Sequence, residues 1–172
     1  MVILLRHLLA FTLPLTVTVL VPLGIARHYD VALRIAASPP GIGLQIGGLV
    51  VLGTGILLFT ASLGRFAVNG RGTLAPWDPP RHLVVRGPYR FVRNPMISGV
   101  IIILVGEALV LLSFPHGIWA GLFLTLNLIF IPLAEEPQLE QRFGEPYREY
   151  RRHVRRFLPR LRPWTPDTAP PG

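Results

Sequence analysis

Uncharged stretches divide the chain into apolar and polar parts. The longest runs from 35 to 64, and residues 94–134 carry only one charged side chain, Glu107. The sequence SFPHG at 113–117 divides this second stretch, because Pro and Gly interrupt helices. Since a helix needs about 20 apolar residues to cross a bilayer, the pattern predicts an all-α integral membrane protein. Its four transmembrane helices are predicted at about 8–26, 42–64, 95–113 and 117–134.

The first predicted helix has an alternative interpretation. Pro14 and Pro22 interrupt it, and the small residues Gly24 and Ala26 are typical of a signal-peptide cleavage site over residues 1–26. Its apolar core is longer than the roughly 7–15 residues of a signal peptide. This length favours a transmembrane helix.

The arginines indicate the orientation in the membrane. The N-terminus, the segment 65–94 and the residues after 134 hold 15 of the 17 arginines, whereas only Arg27 and Arg34 fall on the other side. Because basic residues collect on the cytoplasmic side, both termini and the 65–94 loop are predicted to be cytoplasmic. The expected location is a plasma membrane of the bacterial inner-membrane type.

Composition narrows the class of protein further. The chain is 51% hydrophobic but carries a net charge of +8. All 17 of its basic residues are arginine, and it has no lysine. This apolar content excludes a disordered chain and argues against a soluble nucleic-acid binder, while anionic lipid headgroups explain the positive charge. The absence of cysteine excludes thiol chemistry, and the five histidines have no metal-ligand spacing. We expect the bilayer and its anionic headgroups as partners, with neither nucleic acid nor a metal.

The residues after the fourth helix show helical periodicity. Apolar side chains recur every three or four positions from 139 to 161, with Arg and Glu between them. Gly144 and Pro146 predict a division into two short helices. The segment is interpreted as a lid over a site, or alternatively as an interfacial helix on anionic lipid. The predicted boundaries are one membrane-embedded domain at 1–162, with a cytoplasmic loop at 65–94 and the lid at 135–162, and then a disordered tail at 163–172.

Two interpretations fit the start of the third helix. Asn94 and Pro95 are suited to the cap and first position of a helix, which is a purely structural role. A helix N-terminus also presents unpaired N–H groups and the positive end of the dipole, and here Arg90 and Arg93 flank it. The alternative is therefore a binding site for a carboxylate or phosphate.

Three acidic residues are candidates for chemistry. Glu135 and Glu136 follow the fourth helix, where they either pair with tail arginines or accept hydrogen bonds from ribose hydroxyls or an amine. Glu107 lies twelve residues after Pro95, about 18 Å along the helix. A carboxyl group inside a membrane indicates function, unless it is neutral and hydrogen-bonded within the bundle. The glycines of the second helix, by contrast, predict close helix packing.

These motifs resemble a known superfamily. The run GPYRFVRNPMISG, a helical hairpin, and then EEPQLEQRFGEPYREYRRHVRRFLP resemble the isoprenylcysteine carboxyl methyltransferases and phospholipid N-methyltransferases, over about residues 70–160. The resemblance implies an integral membrane enzyme that uses S-adenosylmethionine. It also implies a cofactor pocket on the cytosolic side beneath the C-terminal segment, with a lipophilic substrate that enters from the bilayer.

The resemblance also implies site residues. Arg93 is the implied catalytic residue, and Glu107 or a lid tyrosine is the candidate base if the methyl acceptor is an amine rather than a carboxylate. Asn94, Ile97 and His153 depart from the usual residues of the superfamily motifs. The implied cofactor-binding residues are Tyr89, Arg90, Asn94, Pro95, Met96, Gly99, Glu135, Glu136, Tyr147 and Tyr150.

Two alternative functions remain at this point. Membrane sterol reductases are similar in architecture and bind NADPH in a comparable pocket. A non-enzymatic membrane protein with a basic, lipid-binding tail would also have this charge pattern. Binding of S-adenosylmethionine, of NADPH or of neither distinguishes the three.

Overall fold

All the regular elements that the structure describes are helical. The structure is a computed structural model, and it describes residues 12–70 and 82–165. Together with a short 3-10 turn at Gly87–Arg90, the helices are α1 (Thr12–His28), α2 (Pro39–Gly70), α3 (Pro95–Val110), α4 (Phe114–Phe143) and α5 (Glu145–His153). The predicted all-α class is confirmed.

Two helices of the described ranges are long and apolar enough to cross a membrane. They are Pro39–Arg65 of α2, with 27 residues, and α4, with 30 residues. Helices α1 and α3 are also apolar but shorter, and α3 has 16 residues. The count of four spans therefore stays a prediction.

The helical hairpin differs from the prediction at its boundaries. Helix α3 ends at Val110 rather than 113, and α4 begins at Phe114 rather than 117. Ser113 takes the cap position, so Pro115 falls in the first turn, where the missing N–H group breaks no helical hydrogen bond. The segment that was predicted to separate the two helices thus mostly belongs to the second one.

Helix α4 also continues past residue 134, where the fourth span was predicted to end. It passes through a π-helical turn at Ile131–Glu135 and runs on to Phe143. Pro132 lies in this turn and lacks the N–H group of a regular helical position. As a result Glu135 and Glu136 lie within a continuous helix and are held in fixed positions.

Helices α2 and α3 pack directly against each other through glycine. A Cβ atom added to Gly55 would lie 2.7 Å from the amide nitrogen of Ile103, and one added to Gly106 would lie 2.6 Å from that of Leu52. Such distances are closer than any side chain tolerates, so the two backbones need glycine here. The predicted role of these glycines is confirmed at Gly55, whereas Gly53 faces open space.

Polar side chains join α1 to α4 at the other end of the bundle. His116 Nε2 lies 3.1 Å from the carbonyl oxygen of Pro22, and its Nδ1 lies 2.8 Å from Ser113 Oγ. Because a carbonyl only accepts, Nε2 donates and Nδ1 receives the hydroxyl hydrogen. Trp119 Nε1 donates to the carbonyl of Val17 at 3.1 Å. His116 thus has a structural role.

The C-terminal segment turns sharply at Gly144, as predicted. Gly144 has φ +60° and ψ −133°, a conformation open essentially to glycine. It separates α4 from α5, which confirms the predicted division at Gly144, although the part before it is the end of α4 and not a separate short helix. The amphipathic helical segment, however, was predicted to run to 162, and α5 ends at His153.

Residues 154–165 form a non-helical segment, which we call the strap. Pro159 and Pro163 cannot supply helical N–H groups, and the backbone bonds instead to the residues before α3. The strap makes four such bonds: Arg93 N to Arg155 O (2.9 Å), Asn94 N to Arg156 O (3.2 Å), Arg160 N to Phe91 O (2.9 Å) and Trp164 N to Arg90 O (3.0 Å). The sequence pattern missed the strap because its apolar residues continue the helical spacing.

Candidate functional site

A small core at the end of the bundle brings the loop before α3, α4, α5 and the strap together. Tyr147, Tyr150 and Val154 are completely buried there, and Leu139 and Trp164 pack against them. Trp164 stacks on Tyr150, with ring centroids 5.7 Å apart. This packing fixes α5 and the strap against the N-terminus of α3, where the sequence placed its candidate site.

A buried ion cluster lies at the centre of this region. Arg93 Nη2 is 3.1 Å from Glu136 Oε1, and Arg156 Nε is 2.8 Å from the same oxygen. The side chains of Arg93 and Glu136 are only 9% and 8% exposed. One carboxylate oxygen therefore binds two guanidinium groups at once.

Arg93 keeps a hydrogen-bond donor that no described residue uses. Its Nη1 donates to Tyr147 Oη at 3.5 Å, a long contact, while its Nε is buried without a partner. A buried donor left unpaired costs about 1–3 kcal/mol. A ligand oxygen at this position would satisfy it.

Tyr89 supplies a second unpaired group. Its hydroxyl is buried and has no partner among the described residues, whereas its carbonyl accepts a 2.6 Å hydrogen bond from Tyr150 Oη. Burial and the nearby Glu135 carboxylate raise the pKa of Tyr89 above its usual range. The phenol is therefore neutral and able to donate to a ligand.

The two adjacent glutamates have different surroundings. Glu136 is bound by Arg93 and Arg156, but in the described structure Glu135 forms neither a hydrogen bond nor an ion pair. Glu135 nevertheless interacts electrostatically with Tyr89 and Arg93. Its carboxylate is thus the acceptor in the cluster that remains available to a hydroxyl or a cation.

The Glu135 carboxylate, which has no ion pair, thus interacts electrostatically with the two residues that carry buried, unpaired atoms. Three buried side-chain N or O atoms lack a partner in the described ranges, and two of them are Arg93 Nε and Tyr89 Oη. With Glu135, the cluster offers a cationic donor, a neutral donor and an anionic acceptor. This set fits a ligand that carries both a carboxylate and an ammonium or hydroxyl groups.

Arg90 and Tyr150 contact the strap and the loop before α3. Arg90 Nε donates to Trp164 O at 2.9 Å, and its Nη2 bonds Thr165 Oγ1. The Tyr150 hydroxyl is used by Tyr89 O. Both side chains therefore hold the site's walls together, and their predicted contact with the ligand stays a prediction.

The residues at the start of α3 take the positions of a helix cap and first turn, and anion binding there stays a prediction. Asn94 takes the cap position of α3 without a side-chain cap bond, and its carbonyl accepts from Ser98 N and Oγ. Pro95 is the first helical residue, and Met96 follows it in the same turn. Gly99 packs against α2, since a Cβ there would lie 2.8 Å from Phe59 N.

Glu107 is not part of this cluster. It lies in the last turn of α3, about 18 Å along the helix from its N-terminus. Its Oε2 is buried without a partner among the residues that the structure describes. The structure therefore does not bring Glu107 together with Arg93.

The sequence missed Trp164 and offered Arg156 only as one of three candidates, with Arg152 and Arg155, for an arginine that the superfamily motif implies. Arg156 stands among several arginines, and only the fold selects the one that reaches Glu136. Trp164 was assigned to the tail after 162, yet it stacks on His153 and Tyr150. Pro159 and Pro163 are the signal that the helix does not extend this far.

Comparison with known protein families decides the assignment. The family model described as phospholipid methyltransferase matches residues 44–146, more than half of the chain. The chain belongs to the phospholipid methyltransferase family. This confirms the resemblance found in the sequence, and the family implies a membrane methyltransferase that acts on lipid. No curated protein and no solved structure is significantly similar to the chain.

The phospholipid methyltransferase match covers most of the ion cluster. It includes Tyr89, Arg93, Glu135 and Glu136, and it ends at residue 146. Most of α5 and the whole strap lie beyond it. The role of Arg156 therefore rests on the geometry of this chain alone.

Proposed function

We propose that this family member transfers a methyl group from S-adenosylmethionine to the amine of a phospholipid headgroup. The observation that carries the proposal is the buried cluster in which Arg93 Nε, Tyr89 Oη and the Glu135 carboxylate lack partners. These groups complement the carboxylate, ammonium and ribose hydroxyls of S-adenosylmethionine. The cluster alone is compatible with other zwitterionic ligands as well. Membership of the phospholipid methyltransferase family is what supports methyl transfer.

The chain's own residues would bind and orient the reactants. When bound, S-adenosylmethionine supplies a methyl group on a positively charged sulfur. Arg93 Nε would hold its carboxylate beside the first turn of α3, where the helix dipole also favours negative charge. Glu135 and Tyr89 would hold the ammonium or ribose groups. Methyl transfer then depends on positioning and on the exclusion of water, with α5 and the strap as the cover.

Glu136 would act as a positioning residue. It fixes Arg93 in α3 and Arg156 in the strap through one oxygen. This arrangement keeps both guanidinium groups beside the ligand and leaves Glu135 available. The two glutamates that the sequence treated alike therefore have separate proposed roles.

Neither base suggested by the sequence suits this cluster. Burial, together with the adjacent Glu136 carboxylate, raises the pKa of Tyr147 to about 12, so this phenol hardly ionises at neutral pH. Glu107 lies about 18 Å along α3. We therefore propose that the amine reaches the site already deprotonated, its proton having passed to water.

The four apolar helices are proposed to cross the membrane, with both termini in the cytoplasm of a bacterial-type cell. The charge distribution supports this orientation, since Arg93 and Arg156 lie at one end of the bundle and Arg27 and Arg34 near the other. Inner-leaflet anionic headgroups are the proposed lipid partners. The site would then open at the cytoplasmic surface, within reach of a phospholipid.

Calorimetry tests the cofactor assignment. We expect the purified protein to bind S-adenosylmethionine and not NADPH, and the affinity to fall at least tenfold in Arg93→Ala. Gln141→Ala, at an exposed position of α4, is the control and should bind like the unmodified chain. Binding of NADPH alone would instead identify a reductase, and binding of neither would indicate a non-enzymatic protein.

A further inference from the structure

The strap carries two leucines that point away from the protein. Leu158 is 63% exposed and Leu161 is fully exposed. Arg155 and Arg162 flank them and are also exposed, and the side chains of both form no hydrogen bond or ion pair within the described structure. The strap contains no acidic residue. Exposed apolar side chains between unpaired arginines are typical of a segment that enters a lipid interface.

The strap is held so that these leucines face outward. Its backbone bonds to the loop before α3 through Arg155 O at one end and through Trp164 at the other. At the second end, Arg90 Nε also donates a hydrogen bond to Trp164 O at 2.9 Å. Turning Leu161 inward would break these bonds, so its exposure is built into the fold.

The length of α3 places the strap at the membrane surface. Its 16 residues span about 24 Å, which is less than the roughly 30 Å of a bilayer's hydrocarbon core. With α3 crossing the membrane as proposed, its ends therefore lie at or inside the hydrocarbon boundary. Arg160 N bonds to the carbonyl of Phe91, only four residues before Pro95, so the strap lies at the same depth.

We propose that the strap is a membrane-surface wedge. Leu158 and Leu161 insert among the acyl chains of the inner leaflet, and Arg155 and Arg162 bind the phosphates of anionic lipids. Because Arg156 of the same strap bonds Glu136, the bilayer holds one wall of the site in place. The wedge rests on the membrane orientation given under Proposed function, but it does not require methyl transfer.

Site-directed labelling tests the wedge. The chain has no cysteine, so Leu161→Cys gives a single attachment point for a fluorophore in the full chain, reconstituted in bilayers. We expect lipid-borne quenchers to reach this label and aqueous iodide to be excluded. Gln141→Cys is the matched control, exposed on α4 about 10 Å beyond residue 134, and iodide should quench it.

The charge part of the proposal has its own test. Phosphatidylglycerol in the bilayer should deepen the insertion of the Leu161 label, and this dependence should disappear in Arg155→Gln/Arg162→Gln. A Leu161 label as accessible to iodide as the Gln141 label would overturn the wedge. Equal insertion with and without phosphatidylglycerol would overturn the role of the arginines. Quenching requires no catalysis, so a failure here is distinct from failure of the proposed activity.

Discussion

Glu135 and Glu136 are neighbours in the chain, but only Glu136 is bound by arginine. Arg93 and Arg156 both reach Oε1 of Glu136, at 3.1 and 2.8 Å. Glu135 lies on the same helix without an ion pair in the described structure. One carboxylate thus holds the two arginines, and the other is the proposed acceptor for a ligand.

Substitution of each glutamate separates these two roles. Glu136→Gln leaves the buried Arg93 charge without its partner, and we expect a loss of about 3 kcal/mol in the free energy of unfolding. Glu135→Gln should leave thermal stability unchanged and weaken S-adenosylmethionine binding about tenfold, a loss of about 1.4 kcal/mol. Thermal unfolding and calorimetry measure the two effects. Equal effects of both substitutions would contradict the division of roles.

Removal of the Tyr89 hydroxyl should affect binding and not folding. This hydroxyl has no described partner, so Tyr89→Phe leaves stability unchanged or slightly higher. Cofactor affinity should fall by about 1 kcal/mol, the worth of one hydrogen bond. Tyr150→Phe is the control, because its hydroxyl bonds Tyr89 O and its loss should lower stability. If Tyr89→Phe binds the cofactor like the unmodified chain, Tyr89 is not a ligand contact.

The close contact of α2 and α3 predicts a strong effect of one methyl group. Gly106→Ala places a Cβ 2.6 Å from the Leu52 amide nitrogen, and we expect overpacking to cost about 1–3 kcal/mol. Gly53→Ala is the matched control on α2, where the added Cβ meets open space. It should be neutral or slightly stabilising. Thermal unfolding in one detergent compares them, and equal melting temperatures would argue against the packing.

The pH dependence of the reaction distinguishes the two acceptor classes. An amine has a pKa of about 10. Below this pKa, the unprotonated fraction of the amine rises tenfold per pH unit. Because Glu135 would be occupied by the cofactor, no residue of the site is left to take the proton, and kcat/KM should rise in the same way between pH 6 and 8, a range chosen well below about 10. A carboxylate acceptor, with a pKa near about 4, would give a flat profile. A flat profile therefore excludes the amine.

The strap should be held by Trp164. Trp164→Ala removes the stacking on Tyr150 and His153, so the strap should open locally more often. The amides of Arg93 and Asn94, which bond to strap carbonyls, should then exchange hydrogen faster. Trp164→Phe keeps an aromatic ring and should restore slower exchange. Unchanged exchange in Trp164→Ala would show that the backbone bonds hold the strap without the ring.

The sequence predicted the elements whose signals are local. Uncharged runs located the four apolar helices, and Gly144 located the bend before α5 because only glycine adopts that backbone conformation readily. The strap was missed, since Val154, Phe157 and Leu161 keep a helical spacing although Val154 is buried and Leu161 exposed. Their environments depend on contacts with residues about 60 positions earlier, which periodicity does not report.

The site was predicted only in part, because here too some contacts join residues that are far apart in the chain. Motif spacing drew attention to Arg93, Glu135 and Glu136, and the fold brings these residues close enough to interact. The sequence did not distinguish the two glutamates, because their difference arises from Arg156, twenty positions further on. Selection among several tail arginines requires the three-dimensional packing.

The most direct test is transfer of labelled methyl groups from S-adenosylmethionine into a membrane lipid extract, with the reconstituted full chain. The account predicts a labelled phospholipid methylated at its headgroup nitrogen. It also predicts at least a tenfold lower yield with Glu135→Gln, and an unchanged yield with Gln141→Ala. Absence of label from every lipid, in a preparation that binds the cofactor, would contradict the proposed function.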